Sequence, residues 1–305
     1  MFLLSTKYFF INSEIIFISG KMNTLGHFIT LSVFLWMSSS VQLKAQAQAV
    51  FEPRDKEIVE NLLAKFSAES KTPTGDLIIK IGRELLGTTY VAHTLEKEPE
   101  QLLVNLRELD CTTFAENCLA IAIAIKSEKP GFNKYLKILQ NIRYRNGVIN
   151  GYPSRVHYFS DWMYENSKNG FLREVSKEIA GTRYQKTVNY MSNHPDSYKQ
   201  LKNVAFLPVI IRQEKELSAR EMYYIPEEKI AELEDKLQDG DIAGITTSIA
   251  GVDILHAVIL IRVDGRIHLL HAPQSGGKVL ISDETLEDYL KNSKPGNGIM
   301  VARPL

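Results

Sequence analysis

The stretch ELDCTTFAENCLAIAIAIK, residues 108–126, decides the fold. From Cys111 onward its apolar side chains fall on nearly every side of a helix, and such a helix belongs inside a core rather than on a surface. Asp110 precedes it and is a residue type that caps helix N-termini. The sequence therefore predicts a buried helix that begins at Cys111 and ends near Lys126.

Cys111 is a candidate nucleophile because of this position. Backbone N–H groups in the first turn of a helix favour a thiolate over a thiol, and the thiolate is the reactive form. The same N–H groups can stabilise an oxyanion that develops on an attacked carbonyl. The alternative is an inert buried thiol below a helix cap, and the local sequence alone leaves both interpretations open.

The second cysteine, Cys118, follows seven residues later in the same predicted helix. Seven helical residues rise about 10 Å, which exceeds the Cα separation of about 7 Å that a disulfide tolerates. The two cysteines therefore cannot bridge to each other. We expect Cys118 to act as a small buried apolar residue.

The predicted secondary structure changes from helices to strands along the chain. Helical periodicity covers residues 55–69 and 75–86, and a loop from 88 to 99 carries Tyr90 and His93. From residue 239 the pattern becomes that of strands, separated by Asp-Gly and Gly-Gly turns: GDIAGITT, DILHAVILIRV, GRIHLLHA and KVLIS. Helices first and a strand meander last predict an α+β fold.

Two of these strands carry histidines that could serve a thiolate. If residues 264–265 form a two-residue hairpin turn, Val258 faces His271, and His271 then shares a sheet face with His256. His268 falls on the opposite face. A nucleophile needs a base, and the base needs an orienting partner, so this register predicts His256 as base, His271 as orienter and His268 as structural. A longer loop would reverse the assignment.

The same imidazoles could instead hold zinc, with His157 or Asp253 as a third ligand. However, the sequence has no HExxH motif and no paired CxxC motifs, and the two histidines lie on separate strands. We therefore expect no metal and no other cofactor.

Composition narrows the function classes. The chain has 305 residues, 36 Lys+Arg against 36 Asp+Glu, and 44% apolar residues, so it is expected to be globular rather than disordered. A formal net charge of zero argues against nucleic acid as a partner. Two cysteines are too few for a disulfide scaffold.

The N-terminal residues 1–47 have the features of a leader. An apolar run at 28–37 follows Lys21 and Met22, and small-x-small sites follow at 45–49; together they describe a secretory signal peptide. The alternative is an N-terminal membrane anchor, and residues 1–21 are either an unused upstream start or a lengthened leader. We expect residues 48–305 to form a single catalytic domain that is exported to the periplasm, with no stable membrane insertion after leader removal.

Several motifs, taken in order, resemble those of the NlpC superfamily of papain-like cell-wall cysteine hydrolases, and within it they are similar to the N-acetylmuramoyl-L-alanine amidase-like branch. The resemblance covers most of residues 55–305. The motifs are LGTTYVAHTLE (86–96), NLRELDCTTFAEN (105–117), YPSRVHYFSDW (152–162), GDI (240–242), HAV (256–258) and IHLLHA (267–272) with the following Pro273.

The resemblance implies a papain-like NlpC-type fold, in which the catalytic helix packs on a C-terminal antiparallel sheet, and hydrolysis of an amide in peptidoglycan fragments. It assigns Cys111 as nucleophile, His256 as base and His271 as orienter, and it places Tyr90 beside the thiolate. Members of this branch cut between N-acetylmuramic acid, preferably in its 1,6-anhydro form, and L-alanine.

Two other functions remain open. A γ-D-glutamyl-diaminopimelate endopeptidase would use the same cysteine and histidines at a bond further along the stem peptide. A non-catalytic muropeptide-binding protein would keep the groove without the activity.

The segment between Cys111 and His256 is longer than a compact core needs, so we expect residues 130–235 to form an inserted helical and loop subdomain that shapes the substrate groove. Arg155, Asp161 and Trp162 are its candidates for contacts with carboxylates, peptide and a sugar face. Alternatively, Trp162 is a core residue, and Arg155 and Asp161 form a structural ion pair.

Overall fold

The computed structural model describes residues 49–179 and 181–305. The predicted leader, residues 1–47, lies outside these ranges. Within the described part of the chain, no helix has the length and apolar character needed to cross a membrane.

The first half of the described chain is mainly helical. The predicted helices at 55–69 and 75–86 are present with slightly different ends, and the predicted helix at 111–126 has the expected bounds. The elements up to residue 168 are α1 (Pro53–Lys65), α2 (Thr74–Glu84), β1 (Thr89–Tyr90), β2 (Glu108–Leu109), α3 (Cys111–Lys126), α4 (Phe132–Arg143) and α5 (Phe159–Lys168).

The second half supplies the main sheet and several short helices. The four predicted strands are present, together with strands that the sequence pattern did not indicate. The elements are β3 (Leu172–Glu174), β4 (Thr182–Arg183), α6 (Tyr190–Asn193), α7 (Leu207–Ser218), β5 (Tyr223–Pro226), α8 (Ile230–Leu233), β6 (Ile242–Thr247), β7 (Ile254–Val263), β8 (Arg266–His271), β9 (Leu280–Ile281), α9 (Leu286–Asn292) and β10 (Gly296–Pro304).

The main sheet has eight strands in the order β4-β5-β10-β6-β7-β8-β9, with β3 paired to β10. All of its pairings are antiparallel. Strands β1 and β2 form a separate parallel pair. The mixed α+β class predicted from the sequence is confirmed, and α3 packs on the antiparallel sheet as expected.

Helices cover both faces of this sheet. The larger core lies on the face of β7 that carries Ala257, Ile259 and Ile261, where α1 to α5 contribute their apolar sides. The smaller core lies on the opposite face, which carries Val258 and Leu260 and is covered by α8 and α9. Because strand side chains alternate between faces, His256 belongs to the second face.

Helix α3 is the centre of the larger core. It packs against α2, α4 and β7, and Phe114, Leu119 and Ile121 are fully buried on it. Its N-cap Asp110 accepts a hydrogen bond from the backbone N–H of Thr113 at 2.7 Å, and the Thr113 hydroxyl bonds back to the Asp110 backbone. This reciprocal cap fixes the start of the helix at Cys111.

The hairpin between β7 and β8 has the register that the sequence predicts. Ile259 pairs with Leu270 and Val263 with Arg266, so only residues 264 and 265 form the turn. Asp264 has φ 50° and Gly265 has φ 85°, the positive values at both central positions that define a type I′ turn. The register places His256 and His271 on one face.

Much of the segment 130–235, which the sequence predicts to be an inserted helical and loop subdomain, packs into the main domain. Helix α4 packs on α3, and β3 and β5 pair with β10 in the main sheet. The physical reason is that α4 carries apolar residues at helical spacing that complete the large core: Tyr135, Ile138, Leu139 and Ile142. Only the part near α6 and α7 has a small core of its own, formed by Tyr152, Met191, Leu201 and Ile210.

Candidate active site

Cys111 lies at an open corner of the sheet. Pairing between β7 and β8 stops at Ile259 and Leu270, so the next β7 residue with its N–H on that side, Ala257, has no strand partner there. The Ala257 N–H instead lies close enough to the Cys111 thiol to lower its pKa. The sulfur also lies 3.9 Å from the Thr112 hydroxyl. The nucleophile candidate is therefore held beside the residue that follows His256.

The resting charge of Cys111 differs from the sequence expectation. Burial raises the pKa of the thiol, and the neighbouring Asp110 carboxylate raises it further. The hydrogen bonds from Ala257 and Thr112 lower the pKa, but by less. The prediction that the helix N-terminus favours a thiolate is therefore wrong for the resting protein, because desolvation outweighs the first-turn N–H groups.

His256 and His271 form a direct hydrogen bond. Nε2 of His256 lies 2.9 Å from Nδ1 of His271, and the rings meet edge to face with centroids 5.0 Å apart. This engages Nε2 of His256 and leaves its Nδ1 as the nitrogen that can exchange a proton with a thiol. His268 lies on the opposite face, where its Nδ1 is 2.9 Å from the Ser282 carbonyl oxygen.

Both paired imidazoles are neutral at ordinary pH. Burial lowers the pKa of His256 to about 4. Burial, followed by the charge of a protonated His256, lowers the pKa of His271 to about 3. Together with the raised pKa of the thiol, these shifts make the resting site a neutral thiol beside neutral imidazoles rather than a thiolate–imidazolium pair.

Two tyrosines approach this group. Tyr90 pairs with Leu109 in the β1–β2 ladder, and burial, Cys111 and Asp110 raise the pKa of its hydroxyl, which places it in the neighbourhood of the thiol. Tyr289 on α9 meets the His271 ring edge to face at 6.0 Å. Tyr90 was a candidate from the sequence, whereas nothing in the α9 sequence pattern connects Tyr289 to a histidine on β8.

Two cavities lie next to each other at Cys111. The cysteine cavity, about 200 Å³, is lined by Cys111 and His256 together with Phe159, Trp162, Ile254 and Leu255. The charged cavity, about 160 Å³, is lined by Asp110, Glu96, Glu116, Arg143 and Arg155. Thr112, Val156 and His157 line both. The cysteine cavity thus combines apolar side chains with the thiol, two imidazoles and the Asp253 carboxylate, whereas the charged cavity carries both acidic and basic side chains.

Arg155 lies in the wall of the charged cavity, with 5% of its surface exposed. Its Nη2 donates a hydrogen bond to Glu96 at 2.7 Å, and its Nε lies 3.4 Å from Glu100. Nε nevertheless has no hydrogen bond of acceptable geometry within the described residues. Arg155 is therefore paired with these two glutamates and not with Asp161.

Asp161 and Trp162 are both buried. Asp161 binds Arg145 and Arg220, the latter at 2.5 Å. The Trp162 side chain is 2% exposed and stacks on Phe159 with centroids 5.4 Å apart, and Trp162 belongs to the large core. The structure thus separates these two residues from Arg155. Asp161 is engaged by two arginines, and Trp162 lies almost fully buried in the wall of the cysteine cavity.

The described residues contain a buried ion pair that sequence reasoning missed. Arg143 on α4 donates from Nε to Glu116 on α3 at 2.8 Å, and from Nη1 to the Leu103 carbonyl at 2.5 Å. Both charged side chains are 3% exposed or less. A Glu inside an otherwise apolar helix was the available signal, because a buried carboxylate requires a partner.

The zinc hypothesis requires three convergent ligands. Over residues 49–179 and 181–305, no group of three His, Cys, Asp or Glu side chains is arranged to hold a metal ion. Asp253, one of the proposed ligands, accepts hydrogen bonds from the backbone and hydroxyl of Ser160, both at 2.8 Å.

Comparisons with known proteins agree on one family. Residues 80–299 match the family model described as AmiA-like, N-acetylmuramoyl-L-alanine amidase-like. The chain is 37% identical to an N-acetylmuramoyl-L-alanine amidase from Bacteroides uniformis, with 76% of this chain and 99% of that chain covered and a TM-score of 0.73. None of the curated proteins matches the chain.

Two further structures are similar. A Bacteroides fragilis protein, provisionally named a xylanase, is 37% identical over 73% of this chain and 98% of its own, with a TM-score of 0.66. A Legionella pneumophila protein is 20% identical over 82% of this chain and 95% of its own, with a TM-score of 0.63, and this likeness concerns the fold alone. The family model spans well over half of the chain, and the chain belongs to the AmiA-like family of N-acetylmuramoyl-L-alanine amidase-like proteins.

Proposed function

We propose that this protein is an exported cysteine amidase that hydrolyses the bond between N-acetylmuramic acid, in its 1,6-anhydro form, and L-alanine in peptidoglycan fragments. The observation that carries this proposal is the position of Cys111, at the first turn of α3 and against the Ala257 N–H, next to the His256–His271 pair. Family membership supports the bond, and the motif resemblance supports the anhydro sugar and an NlpC-type mechanism.

The resting protonation state defines the first chemical step. The thiol of Cys111 transfers its proton to Nδ1 of His256 as the sulfur attacks the lactyl carbonyl carbon, because a preformed thiolate is disfavoured by burial. Nε2–H of His256 donates to Nδ1 of His271, which keeps the base in the tautomer that can accept this proton. His271 is thus the orienting residue.

The remaining steps use the same groups. The first-turn N–H groups of α3 stabilise the oxyanion, and the Tyr90 hydroxyl assists them. The tetrahedral intermediate collapses as His256 gives its proton to the leaving nitrogen of L-alanine, which breaks the C–N bond. His256 then takes a proton from water, the resulting hydroxide attacks the thioester, and Cys111 returns as a thiol.

The two cavities support a division of the substrate. The cysteine cavity, whose wall mixes apolar and polar side chains, suits the uncharged sugar ring of the muramoyl group, whereas the charged cavity suits the stem peptide, which carries carboxylates and an amine. In this arrangement Arg155 is a candidate carboxylate contact because it is buried beside the site with one incompletely bonded nitrogen. Asp161 and Trp162 support the walls of the site from behind.

The test is mass spectrometry of 1,6-anhydro-muramoyl-L-alanyl peptide after incubation with the protein. We expect free sugar and an intact peptide. Cys111→Ala should abolish the reaction, whereas the control Cys118→Ala, at the fully buried cysteine of the same helix, should retain it. Activity in Cys111→Ala would refute the cysteine mechanism.

Other products would point to the alternatives. Cleavage after D-glutamate would identify an endopeptidase. Tight binding without cleavage would identify a muropeptide-binding protein. Slow alkylation of Cys111 would not distinguish the binding protein from the amidase, because the raised pKa makes the resting thiol slow in either case.

A further inference from the structure

His157 lies between the two cavities at Cys111, and the mechanism proposed above gives this residue no role. It lies in the short segment that leads into α5, and its half-buried ring forms part of the wall of both the cysteine cavity and the charged cavity. The ring also packs on Tyr152 with centroids 4.3 Å apart. This side chain is therefore fixed at the boundary between the two compartments.

One hydrogen bond determines the tautomer of His157. Nε2 lies 2.9 Å from the Tyr152 carbonyl oxygen. A carbonyl oxygen only accepts, so Nε2 carries the hydrogen and Nδ1 has a free lone pair. Burial and the charge of Arg155, with a smaller effect of Arg145, lower the pKa of His157 to about 3, so the ring remains neutral and Nδ1 remains an acceptor.

Nδ1 is free to meet a ligand. It has no hydrogen-bond partner within the described residues. Because the ring is only half-buried and lines both cavities, Nδ1 is a candidate contact for a ligand there. Most other polar side chains around the charged cavity are engaged with protein groups, as Arg143 is with Glu116 and Arg155 with Glu96.

We propose that His157 is a substrate-binding residue whose Nδ1 accepts a hydrogen bond from the acetamido N–H of a muramoyl group in the cysteine cavity. The inference rests on the proposed function, which supplies the sugar. An acetamido group presents one N–H and one methyl group. The cysteine cavity presents one free neutral acceptor and, beside it, the partly exposed apolar side chains of Ile254 and Leu255. A neutral acceptor favours this amide over a carboxylate, which has no hydrogen to donate.

The experiment is a binding cycle in the Cys111→Ala background, so that turnover does not interfere. Calorimetry measures the Kd of 1,6-anhydro-N-acetylmuramoyl-L-alanyl peptide and of a 2-deoxy analogue in which hydrogen replaces the acetamido group. We expect His157→Phe to raise the Kd of the full ligand about tenfold, the effect of one hydrogen bond. His157→Phe should leave the Kd of the analogue unchanged.

Two further variants separate the contact from a structural effect. His157→Gln keeps an acceptor and can still donate to Tyr152, so it should recover part of the affinity. His194→Phe is the matched control, because His194 also bonds a carbonyl oxygen, that of Tyr190, at 2.9 Å and stacks on Tyr190 at 4.1 Å, but it is exposed and lines neither cavity. It should have no effect.

Equal losses of affinity for both ligands, or no loss for either, would overturn the proposal. Failure of the full ligand to bind would overturn it as well. A further outcome is that binding depends on His157 and on the acetamido group but the unmodified protein does not cleave the ligand. This result would support the contact and refute only the proposed amidase activity.

Discussion

Arg143→Met tests whether the ion pair between α3 and α4 stabilises the core. The substitution removes the guanidinium and leaves Glu116, at 2% exposure on α3, without its partner. An uncompensated buried charge costs roughly 3–5 kcal/mol. We expect the free energy of unfolding, measured by urea denaturation at pH 8, to fall by about that amount.

The double variant Arg143→Met with Glu116→Leu supplies the control. Replacing both partners of a buried pair by apolar side chains is often neutral, and the remaining cost is the Leu103 carbonyl that loses its donor, about 1–3 kcal/mol. The double variant should therefore be more stable than the single one, although it carries more substitutions.

The pH dependence adds a second criterion. Burial already raises the pKa of Glu116, and loss of Arg143 raises it further. The folded single variant then binds a proton at Glu116 that its unfolded chain releases above about pH 4.3. This group therefore adds stability as the pH falls, and the deficit relative to the unmodified protein should shrink at pH 6. A single variant as stable as the double one, or a deficit independent of pH, would refute the reasoning.

Three other changes have defined outcomes. His256 and His271 have lowered pKa values of about 4 and about 3, so only the unfolded chain takes up protons at these residues as the pH falls below about 6.5. The free energy of unfolding, measured by urea titration, should therefore fall by roughly 2–4 kcal/mol between pH 8 and pH 5. A variant with Asn at both positions should lose less. His271→Ala should lower kcat/KM roughly 100-fold and His268→Ala less than about threefold; equal losses would contradict the assigned sheet faces. Gly244→Ala places a Cβ 2.6 Å from the Phe159 ring, and this overlap should lower the stability measured by thermal unfolding by about 1–3 kcal/mol. Adding Phe159→Leu to this variant should restore part of the lost stability.

The sequence predicted the elements whose signals are local. Helix α3 was predictable because an Asp cap precedes an apolar run, and the reciprocal bonds between Asp110 and Thr113 are local contacts. The β7–β8 register followed from a two-residue turn, which leaves one way to pair the strands. That register alone predicted that His256 and His271 lie on the same face of the sheet.

Other features depend on partners that lie far apart in the chain. Strand β10 is buried on both faces and so lacks the alternation that marks a strand with one exposed face. The resting thiol was mispredicted because burial by residues from the sheet outweighs the local helix terminus. The pairing of Arg155 with Glu96 and Glu100, rather than with Asp161, joins segments that no periodicity connects.

Strand β10 comes last along the chain but lies between β5 and β6, and it also pairs with β3. The centre of the sheet therefore depends on residues 296–304, and the pairing of Ala302 with Glu174 joins positions more than 100 residues apart in the chain. Long-range pairings of this kind slow folding, because the entropy of closing a long loop is lost before the contacts form. Deletion of residues 296–304 would remove one strand partner from each of β3, β5 and β6.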